Sequence, residues 1–256
     1  MATSLKLGEQ LRFLYRAWRY RWQVEPTEIS FVRQHLSAGQ TCLDIGGHKG
    51  AFTYWMRRSV GPTGRVVVFE PQPELASYLG AVKQTFGFQN VDVVHAALSS
   101  SAGECQLYRP ASAPTPSATL DPNAGLGCSV TVPMLTLDEY LRNTSVRPIT
   151  LIKCDVEGHE LDVFQGGESM LLADRPVLLF ECEQRHHGSR PINDVFDYLI
   201  SLGFVGHFLE QRQLRPLTSL PAERRVHGHR RYVYNYVFLP GSASSTADAR
   251  LRGKAA

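Results

Sequence analysis

The 256-residue sequence contains no run approaching the roughly twenty apolar residues that a membrane span requires. Its first residues also lack the apolar core of a secretory signal. The five cysteines, at 42, 105, 128, 154 and 182, form no C-x-x-C pair, and their odd number argues against a disulfide framework. Cys42, Cys154 and Cys182 sit in apolar runs, where a free thiol acts as a small hydrophobe. Together these absences favour a reduced, cytoplasmic protein. Charge of one sign is scarce too: Lys and Arg total 27 against 24 Asp and Glu, a net +3, which is too weak a bias to imply nucleic acid. No internal repeat is visible.

What is present is enough apolar residue, 43%, to bury a substantial core. Residues 1–36 read as a helical N-terminal extension, 37–240 as the main domain and 241–256 as a polar tail expected to be disordered. Within the extension, Leu11 to Trp22 mixes arginine with aromatics in an amphipathic helix. Such a helix could lie on a membrane. The preferred expectation is that it packs its aromatics on the domain and leaves Arg12, Arg16 and Arg19 in water.

Beyond it, strand-like and helical segments alternate. Thr41–Ile45, Arg65–Glu70 and Val91–His95 read as strands, separated by helices over 51–59 and 71–86. Strands over 149–154 and 176–181 flank a helix over about 160–172. A helix over 192–202 follows, and Arg231–Leu239 alternates as a terminal strand. This order predicts an α/β, Rossmann-like doubly wound fold with a mostly parallel sheet and an antiparallel C-terminal strand. Tyr108–Thr131, rich in Pro, Ser, Ala and Gly, reads as a long loop that could cover a site.

The informative segment is Leu43-Asp-Ile-Gly-Gly-His-Lys-Gly50. It places Asp44 near the end of the first strand, and Gly46 and Gly50 let the backbone turn tightly and approach a ligand. In doubly wound sheets ligands bind beyond the carboxyl ends of the strands. The second strand ends in Glu70, a carboxylate suited to the two hydroxyls of a ribose. A nicotinamide dinucleotide would use the same acid, but it calls for G-x-G-x-x-G and a pyrophosphate on the helix N-terminus. Asp44 would repel a pyrophosphate and suits the ammonium of S-adenosylmethionine.

The chain resembles the FkbM family of methyltransferases. The resemblance is carried by CLDIGGHKGAFTYWMRRSVGPTGRVVVFEPQPELASYL, NVDVVHAALSSSAGE, VPMLTLDEYL, ITLIKCDVEGHELDVFQGG and PVLLFECE, in the family's order across roughly residues 25–185. DVEGHE is the most specific of these. One departure is Gly46-Gly-His-Lys-Gly50, where the family commonly has G-A-N-x-G. The resemblance implies transfer of the methyl group of S-adenosylmethionine, usually to oxygen, on sugars and polyketide-type metabolites. It maps Asp44, Gly46, Gly47, His48 and Gly50 onto the methionine end of the cofactor site, Glu70 onto the ribose, Pro71 onto the adenosine wall and His95-Ala96-Ala97 near the adenine. His95 could equally be a satisfied histidine at a strand end.

Methyl transfer to an alcohol needs alignment of the nucleophile and a group to take its proton. Asp155 is the leading candidate for base or positioning residue, followed by Glu157 and His159. Glu160 reads as a helix-start acid. Glu181, Glu183 and His186, after the fifth strand, are candidate substrate contacts, with a solvated loop as the plain alternative for Arg185-His-His187. Asp155, Glu181, Glu183, His186 and His187 invite a metal, yet no spacing is diagnostic and none is expected. The rival is a methyltransferase-like fold without catalysis, or one recruited to nucleic acid through Arg224–Arg231. Small-molecule acceptor, no nucleic acid and no transmembrane segment are the partner expectations; oligomeric state is open.

Overall fold

The computed structural model describes residues 4–110, 114–123, 125–225 and 227–241. All of the expected tail but Gly241 lies outside the described residues. Eleven strands are defined among them: β1 Thr41–Ile45, β2 Arg65–Phe69, β3 Val91–Val94, β4 Ala97–Leu98, β5 Gly103–Arg109, β6 Cys128–Leu135, β7 Ile149–Cys154, β8 Val177–Glu181, β9 Phe204–Glu210, β10 Gln213–Pro216 and β11 Asn235–Pro240. The α-helices are α1 Leu7–Arg19, α2 Pro26–His35, α3 Ala51–Val60, α4 Pro73–Phe86, α5 Leu137–Arg142, α6 Glu160–Gln165, α7 Glu168–Asp174 and α8 Asn193–Ser201.

Eight strands form one sheet in the order β10-β9-β11-β8-β7-β1-β2-β3. The five from β3 to β8 are parallel, and β11 pairs antiparallel with both β8 and β9. The central strands are largely apolar because both faces are covered, with Asp44 in β1 and Lys153 in β7 as buried charged exceptions. Leu43, Ile45, Val67, Phe69, Ile152 and Phe180 point into a cluster with Phe164 and Phe196. Cys42, Val66, Val68 and Leu151 point the other way, onto Phe13, Trp55, Met56 and Leu79. The alternation follows from the two-residue period of a strand.

Register positions the site. Ile45 pairs with Phe69 of β2 and with Cys154 of β7, so the three strands end level. The residues that follow, Gly46, Glu70 and Asp155, therefore emerge at one edge. Chain order reverses between β1 and β7, which is where a doubly wound sheet opens a crevice.

Several expectations need correction. The third strand stops at Val94, leaving His95 in a turn, and Ala97 already belongs to β4. The 108–131 loop begins and ends in strand: β5 and β6 pair antiparallel from Gly103↔Met134 to Arg109↔Cys128, and β4 joins them in a second, three-stranded sheet. The single helix over 160–172 is two helices. At Gly166 a Cβ would come 2.0 Å from the Ser99 carbonyl oxygen, so that close approach interrupts the helix at a Gly-Gly pair. The hairpin β9–β10 was not expected, and the terminal strand starts at Asn235 rather than Arg231.

The N-terminal helix also differs. α1 continues as a π-helical turn over Tyr20–Val24, closed by Glu25 N donating to the Tyr20 carbonyl at 2.9 Å. Phe13 and Ala17 are buried, and Trp55 Nε1 donates to the Ala17 carbonyl at 2.7 Å. Tyr15, Trp18 and Trp22 remain exposed, however, and Arg16 is half-buried. Phe13 and Ala17 anchor the helix, with Leu14 and Tyr20 packed beside them and Trp18 edge-on to Trp55 at 5.1 Å, so its aromatics dock only in part.

Candidate active site

The crevice at the ends of β1, β2 and β7 encloses about 1040 Å³ open to solvent. Asp44, Gly46, Gly47, His48, Glu70, Pro71, Ala96 and Ala97 line it, and so do Asp155, Glu157 and His159. The two halves meet at Gly46. Its φ of 79° suits glycine, and a Cβ there would sit 1.9 Å from the Asp155 carbonyl oxygen. Asp155 N in turn donates to the Ile45 carbonyl at 3.0 Å, so the glycine loop and the DVEGHE turn are one assembly.

Within the loop, His48 has φ 47°. Asn, Asp and His occupy that region more readily than other side-chain-bearing residues, which accounts for a histidine standing where the family commonly has asparagine. Its amide donates to Glu70 Oε2 at 2.7 Å, and Gln72 N donates to Glu70 Oε1 at 2.9 Å. Burial raises the Glu70 carboxyl to about 7, against the pull of these two amides. Burial, followed by Lys49, lowers the His48 imidazole to about 4, so the ring is neutral. Its Nε2 is buried with no hydrogen-bond partner among the described residues. Asp44 accepts from Thr53 Oγ1, and burial raises its carboxyl. Gly50 caps α3 at φ 77° but sits behind the crevice, beside Phe13 and Leu79.

On the opposite wall, Asp155 Oδ2 accepts from Lys153 Nζ at 2.8 Å. Lys153 is buried next to Phe52, whose ring centroid is 5.0 Å from Nζ. Burial opposes its charge, but Asp155, Glu25 and Glu181 outweigh that and raise its pKa. Glu157 stands at φ 54°, with Oε2 2.9 Å from His186 Nε2. His159 Nε2 is 2.9 Å from Ser99 Oγ, and burial lowers its pKa despite Asp162.

Other expected residues lie elsewhere. His95 is exposed, with Nε2 3.1 Å from the Pro71 carbonyl, and does not line the crevice. Glu181, Glu183 and His186 do not line it either. Glu183 is buried against Arg185 (2.6 Å) and the Tyr232 hydroxyl (2.8 Å), which hold it ionised against its burial. Glu181 is raised to about 9, first by burial and then by Asp155. Glu160 is buried at the start of α6, where Oε1 accepts from Gly158 N and Oε2 lies 2.9 Å from His187 Nε2. Cys182 Sγ is 3.3 Å from the same nitrogen. This trio, rather than the five residues considered from the sequence, brings three ligand-type atoms together among the described residues.

Sequence reasoning missed part of the wall. Arg16, Tyr20 and Glu25 reach it from the N-terminal segment, the last two bracketing the π-helical turn. π-turns of this kind often mark functional positions. Burial raises Glu25 to about 7 although Lys153 pulls the other way. Leu107, Pro116, Ala118, Thr119 and Leu120 close the far side. Gln72 fixes that segment through two 2.9 Å bonds with the Thr115 backbone.

A doubly wound sheet with a glycine loop at the switch point and an acid ending β2 defines a class I methyltransferase fold. The FkbM methyltransferase domain matches residues 44–205, well over half of the chain, and the protein belongs to that family. Among solved structures, the FkbM methyltransferase from Methylobacillus flagellatus KT is similar at 14% identity and TM-score 0.51, covering 93% of this chain. The present chain spans only 56% of that protein's length. An O-methyltransferase from Bacillus cereus, solved with SAH, is similar at 15% identity and TM-score 0.51, covering 91% of this chain and 90% of its own. A precorrin-6y C5,15-methyltransferase from Geobacter metallireducens GS-15 is similar at 10% identity and TM-score 0.50, covering 86% and 88%. These likenesses concern the fold, which carries different acceptors in different proteins. No curated protein matches the chain.

Proposed function

We propose that the protein is an S-adenosylmethionine-dependent methyltransferase acting on a hydroxyl of a small molecule, of the sugar or polyketide kind, in the cytoplasm. The observation that carries this reading is the single crevice shared by Asp44, His48 and Glu70 on one wall and Asp155, Glu157 and His159 on the other. The five cysteines are unpaired, as a reducing compartment requires. No described helix is long and apolar enough to cross a membrane.

The residues present fit the cofactor. His48 Nε2, buried and unpartnered, supplies a polar contact to a ligand in the crevice. Glu70 spends one lone pair of each oxygen on a backbone amide and retains the others for two ribose hydroxyls. Asp44 offers a carboxylate to an ammonium, and Pro71, Ala96 and Ala97 form an apolar wall for an adenine ring. When bound, S-adenosylmethionine supplies an electrophilic methyl group on a sulfonium.

Asp155, paired with Lys153 through Oδ2, accepts a hydrogen bond from the acceptor hydroxyl and orients it. His159 is neutral, with Asp162 3.7 Å from its Nδ1, and takes the proton at Nε2 in exchange for its contact with Ser99 Oγ as the oxygen–methyl bond forms. Glu157, fixed by His186, borders the acceptor side. His95, Glu181, Glu183 and His186 support these residues from outside the crevice. The nucleic-acid alternative loses ground because Arg224 is paired with Glu210 at 2.8 Å and Arg225 bonds Asn193 at 2.9 Å. The test is titration with S-adenosylhomocysteine beside Asp44→Ala and Glu70→Ala, then a methyl-transfer screen over sugar and polyketide alcohols. Absence of binding by the folded protein overturns the reading.

A further inference from the structure

On α1 and its π-helical extension, Leu7, Leu11, Tyr15, Trp18 and Trp22 recur at spacings of three and four residues and so share one face. All five are exposed, between 45 and 71%. The anchoring residues Phe13 and Ala17 occupy a different face, so Leu7, Leu11 and Tyr15 are left over after the helix has docked, while Trp18 meets Trp55 edge-on at 5.1 Å and keeps its outer side exposed. A contiguous row of two tryptophans, a tyrosine and two leucines is not ordinary surface, since large exposed apolar patches mark interaction sites. The 23 residues that lie outside the described structure contribute only Met1, Val226 and Leu251 as large apolar side chains, too few to cover it.

The charges around the stripe select the occupant. Residues 4–24 carry Lys6, Arg12, Arg16, Arg19 and Arg21 against a single acid, Glu9. Glu9 is spent on capping α1, accepting from Lys6 N at 2.8 Å. Arg12 and Arg19 are exposed and fall on the flank next to the stripe in the helical projection. Two copies docked by this surface would bring like-charged flanks together across a two-fold axis. An anionic lipid surface meets the same pattern with opposite charge below the arginines and acyl chains below the leucines. Tryptophan and tyrosine are the side chains that favour the headgroup level.

We propose that the exposed face of α1 is a membrane-docking surface, seating the protein peripherally on anionic lipid with Leu7, Leu11, Tyr15, Trp18 and Trp22 in the interface and Arg12 and Arg19 on the headgroups. Attachment is reversible, because a short interfacial helix is a weak anchor compared with a transmembrane one. It is independent of the methyl-transfer reading, whose residues lie in the crevice.

The experiment is co-sedimentation of the full chain with vesicles of equal parts phosphatidylglycerol and phosphatidylcholine, and with phosphatidylcholine alone. Tryptophan emission is recorded in parallel. Binding to the anionic vesicles with a blue shift is expected, with weak binding to the neutral ones. The triple variant Leu7→Gln, Leu11→Gln, Tyr15→Ser, which leaves the buried anchors in place, should lose about tenfold or more in partitioning. Arg12→Gln with Arg19→Gln should lose a similar factor at low salt and little at high salt. Thermal melting and S-adenosylhomocysteine binding control for folding. Failure of the wild type to bind anionic vesicles overturns the proposal, as does undiminished binding by the triple variant. A wild-type dimer that the triple variant dissolves, without lipid binding, assigns the face to a second copy instead.

Discussion

The ammonium of Lys153 and the carboxylate of Asp155 face each other at 2.8 Å at the end of β7, the lysine buried and the aspartate open to the crevice. Asp44 pairs in register with Lys153 on the neighbouring strand, so a cation is set between the two walls of the site. A buried lysine persists only where anions repay its desolvation. Here Asp155 is the foremost partner, and Glu25 and Glu181 add to it as they ionise.

This arrangement separates two effects. Asp155→Asn removes the charge proposed to orient the acceptor, and Glu25 and Glu181, no longer raised by Asp155, ionise more readily to hold Lys153. It is expected to lower kcat by about 10²–10³ while S-adenosylhomocysteine still binds. Lys153→Met removes the buried charge itself and leaves three carboxylates without their cation, so both activity and thermal stability fall. Single-turnover rates and melting curves on the two variants distinguish them. Equal stability loss in both would remove Lys153 from its role as the shared counter-ion.

With Glu70 on the ribose, as proposed, cofactor binding is expected to depend on pH. Its carboxyl is raised to about 7 by burial, so it is largely protonated at pH 6 and ionised at pH 8. The ionised form accepts ribose hydroxyls better, since hydrogen bonds to a charged group are worth about 1.5–3 kcal/mol. Affinity for S-adenosylhomocysteine should therefore rise several-fold from pH 6 to pH 8. Glu70→Gln should bind more weakly at pH 8 and lose most of the slope. Calorimetric titration across that range is the measurement.

The part of the site legible in the sequence is the part built from contiguous residues. Asp44, Gly46 and Glu70 follow from a strand, a glycine loop and a strand-end acid, because a parallel βαβ unit brings its strand ends level. DVEGHE was legible as a family signature and as an acid-rich helix start. Lys153 was not, although a lone charge inside ITLIKC is a signal that such a run must supply a partner. Arg16, Tyr20 and Glu25 reach the crevice only because Phe13 and Ala17 dock a helix whose place no local pattern fixes. The β5–β6 hairpin was hidden because a long Pro- and Ser-rich insertion separates its strands, although Cys105 and Leu107 alternate with Glu104 and Gln106 as a half-buried strand does. Glu181, Glu183 and His186 were drawn in by nearness in sequence, but Glu183 turns toward Arg185 and Tyr232 instead.

Gly46 should tolerate no side chain. Gly46→Ala combines a left-handed φ with a Cβ 1.9 Å from the Asp155 carbonyl oxygen, and backbone cannot yield as a side-chain tip can. Strain of this kind costs on the order of 1–3 kcal/mol, with the clash added to it. The variant is expected to melt lower by several degrees and to lose cofactor binding, read by differential scanning calorimetry and titration. Gly87→Ala, at φ 62° with open space around it, pays only the backbone cost and should keep cofactor affinity.

The ligand-free protein should become less stable as pH rises. Glu25 and Glu70 are raised to about 7, and Glu181 to about 9, each chiefly by burial. In the unfolded chain all three ionise near the ordinary value of about 4.3. The folded state then binds more protons than the unfolded state above that value, and stability falls wherever this holds. Their contribution is fully present below about pH 4, where both states are protonated, and is lost through pH 7 for Glu25 and Glu70 and through pH 9 for Glu181. Other carboxylates, such as Glu74 beside Arg109, are shifted the opposite way and favour higher pH, so the three are best isolated by substitution. Glu181→Gln should flatten the decline in melting temperature between pH 6 and 9, whereas Glu25→Gln should flatten it only below about pH 7. An unchanged slope in both variants would mean that neither carboxyl is raised, and that the cluster around Lys153 is ionised at neutral pH.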